Sequence, residues 1–297
     1  MQHVLTLVAP MGALSKNAVS AVRAALQHLG AAVASPEWLA ADEASDIPFD
    51  GLAPEQADAA ARRALEGAAV DVIAQPAVGR GKKLLLADMD STIVTTETLD
   101  ELAAFAGVKD RVAAITRRAM NGELDFRSAL AERVALLAGL PVSALEKTWE
   151  ATTVMPGAAE LVGTMAAHGA HCVLVSGGFT FFTERVAARL GFHAHQSNTL
   201  VIEDGKLTGR VAEPILDRDA KLAALKRNAA ERGLPLSASL AVGDGANDLD
   251  MVRAAGLGVA FRAKPIVASA ARARVDHADL RALLFAQGFR AADIPNT

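Results

Sequence analysis

The sequence predicts an α/β chain: a doubly wound parallel sheet carrying a small helical insert, preceded by a separate α+β unit. Three observations predict it. From residue 82 onward, short apolar runs alternate with helical stretches. Residues 97–152 carry helical signal and no strand signal, and residues 1–80 follow a rhythm of their own.

In the first unit, "HVLTLVA" (3–9) is strand-like. "SKNAVSAVRAALQHLG" (15–30) spaces its apolar residues for a helix, with Ser15 placed to cap its start and Gly30 its end. "AAVASPEWLA" and "ASDIPFD" predict two further strands. "PEQADAAARRALEG" (54–67) opens on Pro and closes on Gly as helices do, and "VDVIAQPA" (70–77) is a last strand. The order is β-α-β-β-α-β, a split βαβ arrangement. "VGRGKK" (78–83) reads as a linker.

The second unit, 82–297, has strands at "KLLLAD" (83–88), "HCVLVS" (171–176), "SLAVGD" (239–244) and "GLGVAF" (256–261). Strands separated by helices imply crossovers and a parallel sheet. A hairpin is expected over 199–211, turning at Asp204-Gly205.

Composition narrows the class. Apolar residues make up 52% and charged residues 22%, and 30 Lys+Arg stand against 34 Asp+Glu, so nothing suggests a nucleic-acid partner. Cys172 is the one cysteine, which rules out an intrachain disulfide, and its apolar neighbours predict a core position. No apolar run is long enough to span a membrane and the N-terminus lacks the build of a signal peptide, so a cytoplasmic protein is expected.

Three strands end on polar groups: Asp88 and Asp90, then Ser176-Gly177-Gly178, then Asp244 with Asn247 and Asp248. In parallel sheets ligands bind at the carboxyl ends of strands, so these groups should share one pocket. A single strand-end carboxylate usually caps a helix; three such clusters are harder to assign to capping alone. Asp88 and Asp244 with a backbone carbonyl offer hard oxygen ligands, which select Mg²⁺. Ser176-Gly177-Gly178 before a helix forms either an anion cradle or a plain strand-to-helix turn. Lys221 is either a solvated helix lysine or a cation for the same anion. A metal, a cradle, a lysine and unequal carboxylates together describe phosphoryl transfer.

These residues resemble the haloacid dehalogenase (HAD) superfamily. "DMDST" is similar to its first motif D-x-D-x-[TV], "VLVSGG" to the second, Lys221 to the third and "VGDGANDLDM" to the fourth, in order over residues 82–290. With "ETLDELA" and "SGGF" the likeness is nearest to the members that hydrolyse O-phospho-L-serine. The resemblance implies a HAD-like core with a cap at 97–152. It makes Asp88 the nucleophile, Asp90 the general acid/base, Lys221 the phosphoryl-steadying lysine, and Asp88, Asp90 (through its carbonyl) and Asp244 the Mg²⁺ ligands. Ser176, Gly177 and Asn247 would contact phosphate, with Asp248 in support. Glu97 would receive the substrate ammonium, Arg133 its carboxylate, and Met120 and Phe126 would form an apolar lid.

Phe126, Leu130, Arg133 and Leu137 share one helical face, where an arginine either snorkels or grips a carboxylate. Glu97 also suits a first-turn acid, and Met120 and Phe126 suit plain core. The first unit is similar in strand order to ferredoxin-like, ACT-type regulatory modules; an amino-acid effector, a homodimer contact or a purely structural role all fit it. The expected activity is Mg²⁺-dependent hydrolysis of O-phosphoserine to serine and phosphate through an aspartyl-phosphate, the last step of serine biosynthesis. The alternatives are another small phosphorylated alcohol such as phosphohomoserine, or an amino-acid sensor with a silent phosphatase half.

Overall fold

The computed structural model describes residues 1–120 and 123–295. The first unit runs β1 (His3–Val8), α1 (Lys16–His28), β2 (Ala32–Val33), β3 (Glu37–Ala40), β4 (Ala44–Asp50), α2 (Pro54–Ala64) and β5 (Asp71–Pro76). Its antiparallel sheet has the order β2-β4-β1-β5, with β3 also on β4. The run "AAVASPEWLA" is therefore one strand path broken into two pieces. The break at Ser35-Pro36 lies opposite Pro48 of β4, and at both prolines the ladder lacks an N–H to donate. Ser15 caps α1, accepting from Ala18 N at 3.1 Å, and Val19, Val22 and Leu26 form that helix's buried stripe.

The second unit begins at β6 (Leu84–Ala87). Four helices follow, α3 (Thr98–Phe105), α4 (Lys109–Met120), α5 (Phe126–Ala135) and α6 (Ser143–Ala151), and together they form a cap. Then come α7 (Ala158–Ala167), β7 (His171–Phe179), α8 (Thr180–Leu190), β8 (Ala194–Asn198) and the hairpin β9 (Leu200–Glu203) and β10 (Lys206–Val211). The chain continues through α9 (Arg218–Glu231), β11 (Ser239–Gly243), α10 (Leu249–Ala254), β12 (Leu257–Phe261), α11 (Pro265–Ala268), β13 (Ala273–Val275) and α12 (Ala282–Ala286). The parallel sheet has the order β13-β12-β11-β6-β7-β8. All four residues of β6 and all five of β11 are buried, as a sheet covered on both faces requires. Cys172 lies in that interior, where burial pushes its thiol pKa up to about 12. Among the described residues no helix is long and apolar enough to cross a membrane.

Two readings of the sequence need correction. Strands β8 and β13 went unpredicted. Ser176-Gly177-Gly178 is not a turn after β7; it is an irregular stretch inside it, and pairing resumes at Phe179↔Asn198.

The two units are bonded together. The buried Asp71 carboxylate of β5 accepts from the backbone N–H groups of Asp276, His277 and Ala278 at 2.8–3.3 Å. Gln75 donates to the Ala286 carbonyl at 2.6 Å, and Arg281 reaches Glu43 at 3.0 Å. Val8, Leu39 and Ile73 pack into the same apolar cluster as Leu283 and Phe285. Asp71→Ala leaves a bundle of backbone donors without an acceptor. It should cost about 2–4 kcal/mol of stability, measured by denaturant and thermal unfolding of the whole chain. A loss below about 0.5 kcal/mol would mean that water replaces the carboxylate.

Candidate active site

Every crossover in the parallel sheet brings the carboxyl ends of its strands to the same edge, and three of those ends meet there. Asp88 follows β6 directly, and its N–H donates to the Val242 carbonyl of β11 at 3.0 Å. Lys221 sits in the first turns of α9, only 2% exposed, with its ammonium 2.7 Å from Asp88 Oδ1 and 2.6 Å from Asp248 Oδ1. Asp248, fully buried, also accepts from Gly245 N–H at 3.0 Å through Oδ2. Gly243 has to be glycine, because a β-carbon there would collide with the Asp248 carboxyl.

Asp90 is tethered on both oxygens: Thr98 N–H donates to Oδ1 at 2.8 Å and Ser176 Oγ to Oδ2 at 3.2 Å. Ser176 Oγ in turn accepts from Gly178 N–H at 2.8 Å. A β-carbon on Gly178 would come within 2.8 Å of Asp90 Oδ2, so only glycine lets β7 pass so near that carboxyl. Burial, and after it the charge of Glu97, raises the Asp90 pKa to about 6. Asp244, 7% exposed, is likewise raised to about 6 by burial and by Asp248. Asp88 is pushed up by burial and by the neighbouring Asp248. Burial works against the charge of Lys221, yet Asp248 and Asp88 outweigh it and hold its pKa high.

Oxygens of Asp88, Asp244 and Asp248 all lie within 4.8 Å of one another. Three carboxylates stand against the buried ammonium of Lys221 and the half-exposed one of Lys264, which leaves net negative charge in a buried space. That imbalance fits a divalent cation bound by hard oxygen donors. Both oxygens of Asp248 are already engaged, so Asp88 and Asp244 have the freer donors.

The cap overhangs the cavity, which has a volume of about 340 Å³ and is lined by Asp88, Asp90, Glu97, Phe126, Arg133, Ser176, Gly177, Asp244 and Asn247. The structure thus gathers the sequence-predicted residues, with Lys221 and Asp248 just behind the wall. The Met120 side chain lies outside the described residues. The Phe126 ring covers Gly177, 3.3 Å from where a β-carbon would stand. Arg133 donates from Nε to its own helix at Ala129 O (3.1 Å), and among the described residues no carboxylate lies within salt-bridge reach of it. Glu97, at the start of α3, accepts from Ser91 Oγ at 2.8 Å.

Three contributors went unpredicted. Thr98 acts through its backbone N–H, which leaves no side-chain signal. Asn198 donates to Gly177 O at 2.9 Å and accepts from Leu216 N–H at 2.7 Å, fixing the irregular stretch of β7. Lys264 follows β12, a fourth strand on the same edge, and its position there is the signal that could have found it.

A family model for haloacid dehalogenase-like hydrolases matches residues 85–253, the stretch that carries the ends of β6, β7 and β11. The chain belongs to that family. This hydrolase is 41% identical over 285 residues to a phosphoserine phosphatase of Streptomyces coelicolor, covering 95% of the chain and 70% of the relative. It is 46% identical over 215 residues to phosphoserine phosphatase SerB2 of Mycobacterium tuberculosis, covering 72% of the chain and 53% of that relative. Among solved structures, a HAD family hydrolase from Salmonella enterica serovar Typhi superposes with a TM-score of 0.84 at 28% identity, covering 96% of this chain and 97% of that one. Hydrolases of this family generally use a divalent metal, and the acidic cluster has the donors for one.

The electrostatics give a signed prediction for metal-free protein. The folded pKa of Asp244 lies above its unfolded value of 3.8. Its contribution to stability is therefore greatest below the unfolded pKa and is lost as pH rises through about 6. In chelator, Asp244→Asn should raise stability at pH 7.5 by about 1–3 kcal/mol and give little gain at pH 4. Thermal melts at both pH values check it. A gain independent of pH would place the effect elsewhere than in this charge.

Proposed function

We propose that this hydrolase releases phosphate from O-phospho-L-serine, using Mg²⁺, through an aspartyl-phosphate on Asp88. The observation that carries the reading is that the Arg133 guanidinium, with no carboxylate within salt-bridge reach among the described residues, and the Glu97 carboxylate line the same small cavity as Asp88. O-Phosphoserine has a carboxylate and an ammonium to satisfy both, and the two relatives named above support the choice.

In the first half, an Asp88 carboxylate oxygen attacks phosphorus and the bond from phosphorus to the serine oxygen breaks. Asp90, able to hold a proton near neutral pH, gives it to the departing alkoxide. In the second half, Asp90 takes a proton from a water that attacks the same phosphorus, and the bond to Asp88 breaks. Lys221, the Ser176 hydroxyl, the Gly177 N–H and the Asn247 amide would hold the phosphoryl oxygens. Mg²⁺, held by Asp88, Asp244 and the main-chain carbonyl of Asp90, would supply the positive charge that these carboxylates require. Asp248 holds Lys221 in place. Phe126, with Met120, would exclude water beneath the cap.

On this reading residues 1–80 and 82–297 are two domains with the cap at 97–152, and the reaction is the closing step of serine biosynthesis in the cytoplasm. The first domain would be a ferredoxin-like, ACT-type module, bonded rigidly to the catalytic one.

Kinetics with two substrates test the proposal. Removing one partner of a desolvated charge pair costs on the order of 2–5 kcal/mol. Arg133→Ala should therefore cut kcat/KM for O-phosphoserine by about 30- to several-thousand-fold. It should hardly touch p-nitrophenyl phosphate, which has no carboxylate. Equal losses on both substrates would assign Arg133 to the fold or the phosphate site. Asp88→Asn should abolish turnover of either ester, and surviving activity would remove Asp88 as nucleophile.

A further inference from the structure

Counting side chains alone, apart from the metal proposed above, the cavity lining is short of positive charge for an anionic substrate. Four carboxylates line it, Asp88, Asp90, Glu97 and Asp244, and among the described residues only Arg133 and Lys264 line it as cations. A phosphate dianion approaching from solvent meets Glu97, which is exposed, well before it reaches the buried Lys221. Arg133 is carried by α5 of the cap and not by a strand end. Lys264 remains, on the strand-end side.

Its placement is built into the sheet. Lys264 follows β12 and starts α11, and its backbone N–H donates to the Asp244 carbonyl at 3.1 Å. The Lys264 Cα is thereby fixed beside one of the acids fit to hold the metal. Its ammonium lies 3.9 Å from Asp244 Oδ2, and the side chain is 50% exposed. That separation is too long for a tight hydrogen bond, so the ammonium is free to turn between Asp244 and the cavity. A tethered cation in this position has two effects of opposite sign. It attracts an incoming phosphate group, and it competes with a metal ion for the charge of Asp244.

We propose that Lys264 is a positioning residue that draws the phosphate group of a phosphomonoester into the cavity at the expense of weaker metal binding, an inference that rests on the phosphatase reading above. The residue touches no reacting bond. Its work is to raise the local concentration of the anion, which shows in KM and in salt dependence more than in kcat.

The test uses the full chain with Lys264→Met and Lys264→Arg. Binding of Mn²⁺ alone, followed by the paramagnetic signal of the free ion in substrate-free protein, should tighten by about three- to tenfold in Lys264→Met. At saturating Mg²⁺, kcat/KM for both O-phosphoserine and p-nitrophenyl phosphate should fall by about tenfold, mostly through KM, with a flatter dependence on ionic strength. Lys264→Arg should restore both properties. A purely structural role would weaken metal binding and catalysis together, and that result overturns the proposal. So does unchanged Mn²⁺ affinity, or a loss of kcat/KM with the salt dependence intact. Failure of the substrate reading looks different: the unaltered chain would hydrolyse p-nitrophenyl phosphate but not O-phosphoserine, and the Lys264 effects would persist.

Discussion

One buried ammonium, that of Lys221, is the point on which the site turns. It stands between Asp88 and Asp248 at 2.7 and 2.6 Å, with water almost excluded from all three. Removing one partner from such a cluster strands an uncompensated charge in a low-dielectric interior. The fold is arranged around this requirement. A helix, α9, has to deliver a long cationic side chain to the ends of β6 and β11, and a parallel sheet is what places those ends side by side. Gly243 and Gly178 keep the neighbouring backbone thin enough for two carboxyls to fit. The remaining negative charge, chiefly that of Asp244, calls for a divalent cation, and burial first of all raises the pKa values of Asp90 and Asp244 to about 6.

An acid-rich pocket works against folding, so its stability has to come from elsewhere. The shared apolar cluster and the Asp71 contact tie the first unit to the second and supply part of it. The cap adds ion pairs of its own. Arg127 of α5 reaches Asp217 at 3.0 Å, and Arg185 of α8 reaches Glu146 of α6 at 3.1 Å, both at exposed positions. Exposed ion pairs contribute only about 0–1 kcal/mol each. The rest of the hold is apolar and main-chain: Leu102, Leu130, Val134 and Leu145 of the cap join the main apolar cluster, and Gly139 N–H donates to the Leu207 carbonyl of β10 at 2.8 Å.

The legible part of the sequence was the part with local signal. "KLLLAD" and "SLAVGD" are buried on both faces, so an apolar run ending on a carboxylate announces both a central strand and its active end. The cap helices showed in their spacing. Strand β8, "AHQSN", did not: it is an edge strand bonded to β7 alone, and its polar side chains read as loop. Strand β13 is three residues long. Asp71 looked like any strand aspartate because its partners, 276–278, lie about two hundred residues away. Ser176-Gly177-Gly178 suggested a turn because two glycines usually mean one; here the nearness of Asp90 and Phe126 requires the missing side chains. Glu97 stood out only through the family resemblance, and Arg133 through it and through its place in an apolar helical stripe, where a snorkelling arginine is an ordinary explanation.

The proposed chemistry rests on Asp88 as the residue that takes the phosphoryl group. Acid-quenching the enzyme within its first turnovers on phosphorus-labelled O-phosphoserine, followed by peptide mapping, addresses this directly. Label should be retained on the protein as an acyl phosphate, released by hydroxylamine and mapped to the peptide that holds Asp88. Label on another residue would contradict it. So would steady release of phosphate with no labelled protein at any quench time, in an Asp90→Asn variant whose second half-reaction is slowed.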